Sequence, residues 1–90
     1  MDELYKLCKQ CKYVRVDYSQ MFDEDKQPLY DAVEQIVKQY QNMLDCTNNW
    51  YAMVLDITIA IKGLGYGYHI ESYHDTLVID ICTTSIVQLG

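Results

Sequence analysis

One proline and four glycines punctuate ninety residues. That is too few breakers for a collagen-like, linker-rich or low-complexity chain. Long apolar runs are missing as well. The most hydrophobic stretch, Tyr51 to Ile61, is interrupted by Asp56 and Thr58, which excludes a bilayer-spanning segment there. The residues after Met1 form neither a basic n-region nor an apolar h-region. No secretory signal is therefore expected, and the expected location is the cytoplasm (the host-cell cytoplasm if a phage encodes the chain). No nucleophile–base pair, phosphate loop or dense ligand set announces a reaction, so the reading is of a non-enzymatic protein that needs no cofactor.

Basic side chains are scarce, and their placement matters more than their number. Seven Lys and Arg face thirteen Asp and Glu, a formal net charge of −6. Lys6, Lys9, Lys12 and Arg15 crowd the start, and beyond Asp17 only Lys26, Lys38 and Lys62 follow. Nearly the whole body is thus anionic. Such a surface repels nucleic acid and anionic membrane and steers basic partners toward itself. The four basic residues at the start are too few to mark a nucleic-acid footprint.

What is abundant fits one globular domain spanning 1–90. Half of the residues are apolar and nine are tyrosines, whose rings suit half-buried sheets and interfaces. Residues 2–12 carry Leu4, Leu7, Cys8 and Cys11 at helical spacing, which predicts a short amphipathic helix. Tyr13 to Tyr18 alternates, with Val14, Val16 and Tyr18 on one side and Tyr13, Arg15 and Asp17 on the other, a short strand pattern. Leu29, Val33, Ile36, Val37, Tyr40, Met43 and Leu44 predict a long helix over about 26–45, roughly 30 Å in length. Asp23 or Asp25 would cap it, Pro28 would lie in its first turn, and Thr47-Asn48-Asn49 would end it.

The last forty residues alternate in a way that predicts an antiparallel meander. Leu55, Ile57, Ile59 and Ile61 form one strand, Tyr66 to Tyr73 a second, and Leu77, Ile79 and Ile81 mark a third. A turn at Leu64-Gly65 would set Ile59 opposite Ile70. A turn at His74-Asp75 would set Ile70 opposite Ile79, Tyr68 opposite Ile81 and His69 opposite Asp80. The expected fold is α+β: a long helix packed on a mostly antiparallel sheet of three or four strands, with a short N-terminal helix.

Cys8-x-x-Cys11 suits a redox pair, half of a zinc site, or two small hydrophobes on a helix stripe. The last reading fits best, because the redox pair wants a preceding strand and zinc wants two more ligands. Gly63-x-Gly65-x-Gly67 precedes a strand, so it reads as a hairpin loop and not as a phosphate cradle. Two acidic groups remain. One is an outer sheet face with Asp56, Thr58, Lys62, His69, Glu71, Tyr73 and Asp80. The other runs through Asp17, Asp23, Glu24, Asp25, Asp31 and Glu34. Solvation and helix capping account for some of these carboxylates but not for all.

In size, acidity and the want of a catalytic motif, the chain resembles the small inhibitors encoded by phages and mobile elements, such as anti-CRISPR proteins and DNA mimics, and toxin-immunity proteins. That resemblance implies an inhibitor that docks carboxylates on a basic, nucleic-acid-binding or nuclease partner. The partner-binding residues would be Asp17, Asp23, Glu24, Asp25, Asp31, Glu34, Asp56, Glu71, Tyr73 and Asp80, with no direct contact to nucleic acid or membrane. Two alternatives stand beside it: a homo-oligomeric structural or regulatory domain, such as a homodimer, and a small zinc protein using Cys8 and Cys11.

Overall fold

A computed structural model describes residues 3–83. The elements run α1 (Glu3–Gln10), β1 (Tyr13–Asp17), α2 (Asp23–Tyr40), α3 (Thr47–Gly63), β2 (Tyr66–Tyr73) and β3 (Thr76–Thr83). The class is α+β, with three helices and one three-stranded sheet among the described residues. The sheet is mixed. Its order is β1-β3-β2, with β1 parallel and β2 antiparallel to the central β3.

The second hairpin has the register expected from its alternation: Tyr68 faces Ile81, Ile70 faces Ile79 and His69 faces Asp80. His74 takes the positive φ, 57°, that this tight turn demands. The carbonyl of Asp75 then accepts from the backbone N–H groups of Lys12 and Tyr13, at 2.7 and 3.2 Å. These two bonds moor the link between α1 and β1 to the hairpin, and so place β1 beside β3.

The first hairpin does not exist. Leu55 to Lys62 lies inside α3. Trp50, Met53, Val54, Ile57 and Ile61 recur at three- and four-residue intervals, and all five are buried. That is one face of a helix. Ile59, which a strand would place with Ile57 and Ile61, is instead 65% exposed. Thr58 is accommodated by donating its hydroxyl to the Leu55 carbonyl at 2.8 Å. Gly63-Leu64-Gly65 is accordingly a helix-to-strand connection and not a hairpin. Leu64 and Gly65 donate back to Ile61 and Lys62, and Gly65 adopts φ +89°, a left-handed turn that glycine makes without Cβ strain.

α2 is displaced from its expected range of 26–45. It starts at Asp23 and stops at Tyr40, and Thr47-Asn48-Asn49 opens α3 instead of ending α2. Thr and Asn suit helix starts as well as turns, which is why the segment misleads. Neither Asp23 nor Asp25 is the cap: both lie in the first turn, behind an N-cap Phe22 that makes no side-chain cap bond. Pro28 sits past that turn, within the helix.

The core lies on one side of the sheet. Leu77, Ile79 and Ile81 are fully buried beneath Met53, Val54, Ile57 and Ile61, with Leu29 and Val33 of α2 and Cys8 of α1 completing the cluster. α3, not α2, is the helix laid on the sheet; it packs against β2 and is flanked by α1 and α2. Among the described residues, the opposite sheet face carries no helix, and none of its residues joins the core cluster.

Candidate acidic and sheet-face surfaces

Eight of the ten carboxylate and tyrosine positions fall into two surface sets, and Asp25 and Asp56 are hydrogen-bonded to tyrosines within the fold. The first set lies along α2. Consecutive helical residues turn by about 100°, so Glu24 and Asp31, seven apart, share a line. Asp23, Tyr30 and Glu34 share the adjoining line, and all five are exposed. Glu24 to Glu34 spans about 15 Å at 1.5 Å per residue. Acidic residues suit the positive end of the helix dipole at Asp23 and Glu24, but Asp31 and Glu34 lie beyond its reach. Asp23 is 3.2 Å from Lys26 Nζ, and Asp31 accepts from Gln27 Nε2 at 2.8 Å. Glu24 and Glu34 have no basic partner among the described residues. Two exposed aromatics border the stripe: Phe22 at 62% and Tyr30 at 52%. Charge counting does not reveal them, though helical phase would have set Tyr30 beside Asp23 and Glu34.

The start of this helix is held by one buried tyrosine. Tyr66 Oη donates to Asp25 at 2.6 Å and accepts from the Phe22 N–H at 3.2 Å. Burial first, then the bond to Asp25, pushes the Tyr66 phenol above its ordinary value. The rings of Phe22 and Tyr66 lie 6.3 Å apart. Asp25 therefore faces inward and leaves the docking set. Nearby, burial and then the Tyr30 charge raise Tyr18 to about 12, and its ring sits 6.0 Å from that of Tyr30.

The second set occupies the uncovered sheet face. Asp17, Glu71, Tyr73 and Asp80 all have outward parity. Asp56, Thr58 and Lys62 do not belong there, because their segment is α3. Asp56 accepts from Tyr40 Oη at 2.9 Å and ties α3 to the end of α2; that bond, foremost, holds the Tyr40 phenol above its ordinary range. β1 instead supplies Tyr13, Arg15 and Asp17 to the open face, as its alternation predicted. The rows are Tyr13–Thr76–Tyr73, Arg15–Val78–Glu71 and Asp17–Asp80–His69. Asp17 accepts from the Ser19 N–H at 2.9 Å, and this bond, more than Arg15, lowers its carboxyl.

Compared with known protein families, curated proteins and solved structures, the chain matches none.

The cysteines add no chemistry to these surfaces. Cys8 and Cys11 are buried and form no disulfide. Burial, followed by the charge of Asp75, raises the Cys11 thiol, which disfavours the nucleophilic thiolate. They border a cavity of about 260 Å³ with Lys9, Lys12, Asp45 and Trp50. Among the described residues, no three His, Cys, Asp or Glu side chains are grouped to hold a metal ion. No helix of the described residues is long and apolar enough to cross a membrane.

Proposed function

We propose that this chain is a non-enzymatic binding protein whose acidic α2 face docks on the Lys/Arg surface of a partner protein. The partner is one that ordinarily holds nucleic-acid phosphates, such as a nuclease, and the chain inhibits it by occupying that surface. This is the mode of an anti-defence or immunity-type inhibitor.

One observation carries the reading. Asp23, Glu24, Asp31 and Glu34 share one exposed helix face, bordered by the exposed rings of Phe22 and Tyr30. The helix dipole accounts for the first two carboxylates, not for the others. A guanidinium group is matched by such a surface in two ways. Carboxylates take it through charge-assisted, often bidentate hydrogen bonds. An aromatic ring takes its flat face. Aromatic anchors within a polar rim are also the composition in which interface energy concentrates. Asp25 and Asp56 serve the fold and not the partner.

The test uses a labelled oligo-arginine peptide and two charge-neutralised variants. Glu24→Gln/Asp31→Asn/Glu34→Gln should weaken low-salt binding by about tenfold or more, while Asp17→Asn/Glu71→Gln/Asp80→Asn should change it by less than about twofold. Equal losses in both variants, or a larger loss from the sheet face, would remove α2 as the docking surface.

A further inference from the structure

The open sheet face carries a charge order that complements itself. Across β1-β3-β2, one row reads Arg15–Val78–Glu71 and the next Asp17–Asp80–His69. The cationic or protonatable side chain is thus on the β1 side in one row and on the β2 side in the other. Arg15 makes no ion pair within the chain among the described residues. Among the described residues, the ion-pair contact of Glu71 is the weak one with its strand neighbour His69, at 3.7 Å. Val78 occupies the centre of this face, outside the core cluster, and is already covered by its neighbours, only 7% exposed. Tyr13 and Tyr73 flank its third row and are 61% and 68% exposed.

We infer that a second copy of this chain covers the face, related by a two-fold axis running along β3 between the two facing sheets. Such an axis exchanges the β1 and β2 sides and keeps each row level. Arg15 then meets the partner copy's Glu71, and Glu71 its Arg15. Asp17 meets His69 and Tyr13 meets Tyr73, so the exposed tyrosines carry the apolar contact, and Val78, already covered in the single chain, adds little. Aligned packing of two sheets about 10 Å apart is the ordinary geometry of a β-sandwich. Among the charged side chains only Asp80 meets its own kind, on the axis, which is a cost. The inference is separate from the α2 proposal: it uses the other side of the molecule and would leave both α2 faces outward.

Size sets the expected strength. The face measures about 17 by 14 Å from strand rise and spacing. With protruding Tyr and Arg side chains, the dimer would remove on the order of 1,000 Å² in total, the lower limit of specific interfaces. The dimer is therefore weak and concentration-dependent.

Sedimentation equilibrium from about 10 μM to about 1 mM decides it. Wild-type mass should climb from 10.6 kDa toward twice that value. Arg15→Glu and Glu71→Arg should each hold the chain at monomer mass by setting like charges opposite each other. The double variant Arg15→Glu/Glu71→Arg should dimerise again. Asp80→Asn should tighten the dimer by about threefold or more, which keeps the axis testable if a charge reversal unfolds the chain. A wild type that stays monomeric throughout overturns the inference. So does a dimer that survives both single reversals, a double variant that is folded but monomeric, or an Asp80→Asn dimer no tighter than wild type.

Discussion

A single phenol shows how residue chemistry locates a surface. Tyr66 is buried at the start of β2, donates to Asp25 and accepts from the Phe22 N–H, so the first turn of α2 is fixed from a strand. Tyr66→Phe keeps the ring and loses both bonds. It should lower the melting temperature by roughly 5 °C without altering the far-ultraviolet spectrum; an unchanged melt would show that the bonds add nothing net. Alkaline pH tests the tyrosines further. Tyr18 ordinarily ionises near 10 and is held at about 12 by burial and Tyr30. Between those values the folded chain keeps this proton and the unfolded chain has lost it. Stability from this site is complete below pH about 10 and falls as pH rises toward about 12. Tyr18→Phe should flatten that fall in a series of thermal melts, and an equally steep decline in the variant would contradict the assignment.

At the scale of elements, α3 separates two periodicities that its own residues confuse. Ile57, Ile59 and Ile61 alternate as a strand would, and β-branched side chains favour that reading. Ile57 and Ile61 are also four apart, one helical turn. The deciding residues lie upstream: Trp50, Met53 and Val54 continue the helical phase, and a window starting at Leu55 omits them. Ile57→Ala and Ile61→Ala should each cost about 2–5 kcal/mol, whereas Ile59→Ala should stay within about 0.5 kcal/mol. Equal costs at all three positions, measured by denaturant unfolding, would restore the strand. The hairpin of β2 and β3 was legible because each alternation is bounded by its own turn at His74-Asp75, so the register follows from counting. The pairing of β1 with β3 was not legible. It joins residues more than sixty apart in the chain through the carbonyl of Asp75, and no local pattern announces such a contact. The α2 face was half legible: its carboxylates could be counted, but their phase against Tyr30 needed the true helix start, and Pro28 pointed to a later one.

For the whole molecule, charge is unevenly shared. The helical side offers α2 carboxylates with little internal neutralisation, and the open sheet face carries Arg15 and His69 against Asp17, Glu71 and Asp80. The first is the surface proposed for a cationic partner, and the second the one proposed for a second copy. The central claim is that α2 binds by charge, and the salt dependence of oligo-arginine binding tests it most directly. For the wild type, affinity should fall steeply and linearly on a logarithmic scale as salt rises from about 0.05 to about 0.5 M. For Glu24→Gln/Asp31→Asn/Glu34→Gln the slope should be much shallower. Identical slopes for the two proteins would contradict the account.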